Sequence, residues 1–457
     1  MPAERTRFIL RSPPAWDHPQ GQAGAFRQLS CRSSLSCVTF ATIRAWIVRR
    51  DTRDSQIYPA SLRRSDPVGL ATLATVSETA RRPIGGMSGY FLYHSIGTFP
   101  GKEEGLRDEL TRFASFWSRA DDGQWPMSLA LRQDFIDRWR AVIAAPPGTL
   151  TTSENVTAGL YSVLGALPCR YLRGRRLLVA EDCFPSLHFL LAELSHRFGF
   201  VLDTVRLRPG EAYIRDEDFV ARWQDDVGVA LLTWVTSTAS HRCDAPALIA
   251  HGHRIGSIVG VDITQGVGVV PFSVKDGADF VISTSLKWLC GVAGAGIIYV
   301  AAPLLSECQP EFRGWFGQED PFSWDLAKFR FASDARRFDH GTPGVLSSVG
   351  SLPGLRWFAG VGIDAVGAHN HSLSQRIIAQ ARERRWTIVS PLDAPKRGGS
   401  VMLRLPVDAA AIVTALRSRQ IYCDARGAIL RLSPGIVTSD ADVDSLCDAL
   451  GDLIQER

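Results

Sequence analysis

The chain has 457 residues, enough for two or three domains and a large buried core, and its 45% hydrophobic, 21% charged and 9% aromatic content is that of a globular rather than a fibrous or disordered protein. A net charge of +4 makes no field strong enough to gather a polyanion, and no aromatic-and-basic motif accompanies it, which argues against nucleic-acid binding. The nine cysteines, from Cys31 to Cys447, form no CxxC pair and no Cys/His cluster at ligand spacing, which argues against a disulfide framework or a zinc site and for a reducing cytoplasm.

Residues 1–86 contain arginine but no lysine, few acids and many Ser, Pro and Gly, with no sustained helical or strand period. Such a segment has little apolar surface with which to order itself. It reads as a misassigned start upstream of Met87, as a disordered tail or as a transit-type peptide. The first patterned segment is Tyr90 to Phe99. From about Phe113 onward helix-like and strand-like stretches alternate. Thr157 to Leu167 predicts a helix, entered through the small polar run Thr151 to Asn155. Arg176 to Ala180, Val227 to Thr233 and Gly256 to Val261 are short apolar runs that predict buried strands, with a helical pattern over Ala245 to Gly256. Strands alternating with helices imply parallel βαβ units and a doubly wound α/β sheet. Ligands sit at the carboxyl ends of such strands, which singles out Glu181, Thr233 and Asp262. The apolar stretch Gly291 to Leu305 falls short of the roughly 20 residues a membrane span needs and reads as a strand with its approach, so no membrane partner is expected. After about Leu346 the pattern turns to helix and then to Gly398–Arg404 and Ile429–Ser433, a smaller α+β domain.

One lysine stands between a strand-like run and a glycine-rich strand, in Ser285-Leu-Lys287-Trp-Leu-Cys-Gly291. Burying an ammonium there is unfavourable by several kcal/mol unless it is paired or neutral. A neutral lysine is a nucleophile suited to Schiff-base chemistry. Asp262 ends an apolar run upstream, where a carboxylate can keep a pyridinium nitrogen protonated. The predicted helix start at Thr152–Thr157 offers amides and hydroxyls to a phosphate. Alone, each has a plainer reading: a lysine whose head reaches water, a loop acid and an ordinary N-cap. Together, in the order phosphate loop, aspartate, lysine, they fit one cofactor.

These residues carry a resemblance. Val259-Gly-Val-Asp262-Ile-Thr-Gln265, then Asp279-Phe280 and Ser285 to Gly291, resemble the signature of the class V aminotransferase group of fold-type I pyridoxal 5'-phosphate enzymes. Within it, Tyr90-Phe-Leu-Tyr-His-Ser95-Ile-Gly97, Glu181-Asp-Cys-Phe184-Pro-Ser186, Gly314-Trp315-Phe-Gly-Gln318, Gly341-Thr342-Pro343 and Arg431-Leu-Ser-Pro434 are similar to motifs of the kynureninase branch, in the family's order. The resemblance implies a large cofactor domain over 116–345, a small C-terminal domain over 346–457 and a segment 87–115 that contributes to the small domain and the substrate site. It implies that Lys287 attaches the cofactor as a Schiff base and that Asp262 pairs with the ring nitrogen. Asn155, Val156 and Thr157 would approach the phosphate, Phe184 would stack on the ring, and Ser186, Thr233 and Gln265 would lie close by. Trp315 and Thr342 match positions supplied by a neighbouring subunit, which implies a homodimer with shared active sites. Ser95 and Arg431 would bind the amino-acid substrate, Arg431 through its carboxylate. Without the resemblance Phe184 and Trp315 read as core aromatics, Ser95 as a turn residue and Arg431 as an ion-pair partner.

The chain also departs from the pattern. Leu286 stands where kynureninases carry a tyrosine, Leu187 where an aspartate follows the Phe-Pro-Ser motif, and Gln265 where many relatives have histidine. Leucine neither donates nor accepts a proton. The family's histidine near the substrate ring has no counterpart at the matching position, although His94 lies beside it. The implied activity is hydrolytic Cβ–Cγ cleavage of kynurenine or a related γ-keto amino acid; β-elimination, transamination or decarboxylation of another amino acid, and a non-catalytic binding role, are the alternatives.

Overall fold

The computed structural model describes residues 89–456. The extension 1–86 and Met87 lie outside the described residues. The chain opens on β1 (Gly89–Tyr90), α1 (Lys102–Trp117) and α2 (Gln124–Val142), then alternates through β2 (Leu150–Ser153), α3 (Val156–Leu164), β3 (Arg176–Ala180), α4 (Pro185–Phe198), β4 (Val201–Val205), α5 (Asp216–Arg222), β5 (Val227–Thr233), α6 (Ala245–Arg254), β6 (Ile258–Asp262), β7 (Phe280–Thr284) and β8 (Gly296–Val300). Seven strands make one sheet in the order β2-β8-β7-β6-β5-β3-β4. The run from β4 through β3, β5 and β6 to β7 is parallel, and β8 is antiparallel to both β7 and β2.

The near-continuous apolar sequences of β3, β5, β6 and β7 follow from cover on both faces. Alternate residues of β5 divide between two clusters, Ala230 and Leu232 on one side and Val229 and Leu231 on the other. Each such buried valine or leucine contributes about 1.5–3 kcal/mol. Gly260 of β6 leaves room for the Phe280 ring of β7, which a Cβ there would overlap. Strand limits match the sequence expectation at β3 and β5. The helix expected from Thr157 starts one residue earlier, because Asn155 caps it, and ends at Leu164 before Gly165.

Beyond β8 come α7 (Ala302–Glu307), α8 (Leu346–Val361), α9 (Ile363–Glu383), β9 (Thr387–Ile388), β10 (Val401–Arg404), α10 (Ala409–Ser418), β11 (Ile421–Tyr422), β12 (Asp424–Arg426), β13 (Ile429–Leu432) and α11 (Asp440–Gln455). A four-stranded antiparallel sheet, β12-β13-β10-β9, builds a third cluster with α9, α10 and α11. Phe91 is in that cluster, and β1 pairs in parallel with β11, so the first described segment is part of the smaller core. The boundary expected at 346 falls at the start of α8, which packs on α1 and α2 and whose Leu352, Leu355 and Phe358 belong to the larger core. No helix among the described residues is long and apolar enough to cross a membrane.

Candidate active site

The loop after β7 carries Lys287, and the N-terminal segment holds that loop in place. Gly97 N–H donates to the Leu286 carbonyl at 3.2 Å, and Lys102 Nζ donates to the Gly97 carbonyl at 2.7 Å. Only glycine fits at 97, because a Cβ would overlap the Lys287 carbonyl oxygen. Trp139 Nε1 donates to Ser285 Oγ at 2.8 Å from the other side. Lys287 Nζ lies over the Phe184 ring, 5.4 Å from its centroid. Burial brings the Lys287 ammonium down to about 8, against a raising effect of Asp262 and with a further lowering by Arg431. An amine with that value is roughly a tenth neutral at pH 7, far more than an ordinary lysine, and so is available to a carbonyl.

Asp262 ends β6 and Thr233 ends β5, paired in register, so both emerge at the carboxyl edge of the sheet. Asp262 is buried, its Oδ1 accepts from Thr264 N–H at 3.0 Å, and burial pushes its carboxyl up while the Thr264 contacts and Lys287 pull it down. A cationic ring N–H is the partner that would restore its charge. Thr233 Oγ1, at that edge beside Asp262, is buried without a hydrogen-bond partner, an unsatisfied group. Phe184 precedes α4, and Pro185 opens that helix with its fixed φ; the ring is 46% exposed, an aromatic plate left open to a planar ligand. Ser186, half-buried, follows in the first turn.

At α3 the Asn155 side chain accepts from Ala158 N–H at 2.9 Å. It therefore acts as an N-cap, and what the turn offers an anion is the amides of Val156 and Thr157, which have no intrahelical acceptor. Gln265 is turned to the N-terminal segment, Nε2 donating to the His94 carbonyl at 3.3 Å. Ser95, in that same segment, is exposed. Glu181 is drawn away: its carboxylate accepts from Leu207 N–H at 2.8 Å and pairs with Arg206.

Arg431 is buried, and its Nε donates to Asp424 Oδ1 at 2.7 Å with Nη2 on the second oxygen. His94 and Asp424 were not among the residues expected from sequence. The turn at Gly427 places Asp424 opposite Arg431 across a hairpin, a spacing that reveals the pair; His94 lies within the Tyr90–Gly97 motif, but its partners stand more than three hundred residues away, so its contacts have no local signal.

Within one chain Trp315 and Thr342 are not brought to Lys287 by any contact among the described residues. Trp315 packs edge-on against Phe316, with centroids 4.4 Å apart, and Thr342 is exposed. Between them in the chain, Asp339 is held by a buried ion pair, Arg132 Nη2 to Asp339 Oδ1 at 2.7 Å, with Thr151 Oγ1 of β2 on the same oxygen. Leu187 is fully buried in the cluster beneath α4, and Leu286 is half-buried beside Lys287.

The family model described as Aminotransferase class-V matches residues 140–431. The kynureninase of Deinococcus radiodurans is 30% identical over 327 residues, covering 68% of this chain and 77% of that protein. A kynureninase of Geobacillus thermodenitrificans is 24% identical, covering 69% and 76%. Among solved structures, a cysteine desulfurase from Thermococcus onnurineus superposes with a TM-score of 0.71 at 17% identity, over 81% of this chain and 95% of that one, a likeness of fold.

Proposed function

Starting from the premise that this chain belongs to the class V aminotransferase family, whose members are enzymes dependent on pyridoxal 5'-phosphate, we propose that it cleaves the Cβ–Cγ bond of kynurenine or a related γ-keto amino acid with water. The observation that supports the reading is Lys287, half-buried and brought down to about 8 by desolvation, set over Phe184 and near Asp262. The cofactor fits the groups present: Lys287 would hold its aldehyde carbon, Asp262 its ring nitrogen, Phe184 its face, the unsatisfied Thr233 hydroxyl and Ser186 its periphery, and the amides of Val156 and Thr157 its phosphate. When bound, it supplies an electron sink for charge developing at the substrate Cα.

The chain's own residues do the rest. Arg431 fixes the substrate carboxylate with the free end of its guanidinium, and Ser95 lies within the segment that closes over the Lys287 loop. Lys287 Nζ takes the proton from Cα; water adds to the γ-carbonyl carbon, the Cβ–Cγ bond breaks as the acyl group leaves as a carboxylic acid, and the proton released by the water and the one held by Lys287 go to Cβ and back to Cα, giving alanine. Trp315 and Thr342 complete the site from a second copy in a homodimer.

Leu286 and Leu187 favour a second reading, because neither can move a proton where the kynureninase pattern has a tyrosine and an aspartate. In it the same apparatus performs β-elimination, transamination or decarboxylation on another amino acid. Incubation with pyridoxal 5'-phosphate and borohydride, followed by peptide mapping, is expected to place the label on Lys287; a label elsewhere overturns the site. Kynurenine is then expected to yield anthranilate and alanine, and a labelled enzyme that forms neither but converts another amino acid establishes the second reading.

A further inference from the structure

Arg431 is 5% exposed and gripped along one edge, Nε and Nη2 on the two oxygens of Asp424, while Nη1 donates to the Ser237 carbonyl at 3.2 Å. A guanidinium has five N–H donors, so one remains on Nη1 and one on Nη2, at the end of the fork. Behind Asp424 stands His94, itself buried. Its Nε2 is 3.0 Å from Asp424 Oδ1, off the line a hydrogen bond needs, and its Nδ1 is 2.7 Å from Ser433 Oγ, which lies 2.6 Å from Ser400 Oγ. Burial, with the charges of Arg431 and Lys287, holds the imidazole below its ordinary value against the opposing pull of Asp424. The ring is then neutral. The consistent proton order has the Ser400 hydroxyl donating to Ser433, Ser433 donating to Nδ1, and Nε2–H facing Asp424.

We propose that Asp424, backed by His94, is a positioning residue that holds the free end of Arg431 ready for the substrate's α-carboxylate. This rests on the reading above that Arg431 is the carboxylate site. The physical gain is preorganisation. A long guanidinium side chain otherwise loses rotamer freedom when it binds, whereas here the plane is already set by a bidentate partner and the Ser237 carbonyl. Asp424 belongs to the hairpin that carries Arg431, and His94 to the segment that carries Ser95, so one contact also registers the N-terminal segment against the small sheet.

The test uses the cofactor-loaded enzyme and two ligands: hydrocinnamate, which has a carboxylate but no amine to react, and kynurenine. Asp424→Asn is expected to weaken hydrocinnamate binding, read by calorimetry, by roughly tenfold to a hundredfold, the span of one or two charge-assisted hydrogen bonds. KM for kynurenine should rise by a similar factor with kcat changed less than about threefold, the pattern of lost ground-state binding. His94→Asn should shift both in the same direction by a smaller factor, and Asp424→Glu should recover part of the loss. Undiminished hydrocinnamate binding in Asp424→Asn overturns the proposal, as does a variant that loses cofactor and melting temperature together with binding, or wild type that binds no hydrocinnamate. Asp424-dependent carboxylate binding in an enzyme that leaves kynurenine intact sustains the proposal and removes the reaction assigned above.

Discussion

Lys287 should titrate in the cofactor-free protein far below an ordinary lysine. Its fall from 10.5 to about 8 corresponds to about 3 kcal/mol against the charged form, the desolvation of an ammonium only partly offset by Asp262. At pH 7 roughly a tenth of the amine is then neutral, against roughly one part in 3,000 for a lysine at its ordinary value. The assay is the rate at which the protein takes up pyridoxal into a borohydride-stable adduct on Lys287, followed from pH 6 to 10.5. The rate is expected to climb and level off with a midpoint near 8. Asp262→Asn removes the neighbour that raises the value and should move the midpoint down; Arg431→Gln removes one that lowers it and should move the midpoint up. Folding is linked with a definite sign. Between about 8 and 10.5 the unfolded chain binds the proton that the folded chain has lost, so this group makes stability rise with pH through that window, and Lys287→Met should remove the slope. A rate that keeps rising tenfold per pH unit to 10 without a plateau would refute the reasoning, since it would describe a solvated lysine.

Gly97→Ala should destabilise the protein by about 1–3 kcal/mol and loosen cofactor retention, because the new Cβ meets the Lys287 carbonyl oxygen; an unchanged melting temperature contradicts the close approach. Arg132→Met should cost about 3–5 kcal/mol in denaturant melts by stranding the buried Asp339 carboxylate, and Arg132→Met with Asp339→Leu should recover much of it; an additive loss in the double variant would show that the pair is not coupled. If Leu286 marks a missing proton donor, Leu286→Tyr should raise turnover of kynurenine toward the 10²–10⁴ that acid–base assistance typically provides, and fast wild-type hydrolysis would show that none is missing.

Features that depend on local pattern were legible before the fold. β3 and β5 begin and end where their apolar runs do, because strands covered on both faces must be apolar throughout. Lys287, Asp262, Phe184 and the α3 start share the carboxyl edge of one sheet, which their places after apolar runs implied. The side chain of Asn155, expected near a phosphate, accepts from Ala158 N–H as an N-cap, the plainer of its two readings. Which core α8 joins is not legible in its sequence; its packing on α1 and α2 places Leu352, Leu355 and Phe358 in the larger one.

What the sequence determined by itself is the order of strand, acid and lysine, since residue type and position after a strand need no long-range information. What tertiary structure decided is the environment of that chemistry. Desolvation of Lys287 depends on the N-terminal segment laid over its loop, and the orientation of Arg431 depends on a hairpin and on His94 from the far end of the chain. A pKa and a guanidinium plane are set by what surrounds a side chain within a few ångströms, and those neighbours include Gly97 beside Leu286 and His94 beside Asp424, residues far away in the chain that no local period encodes.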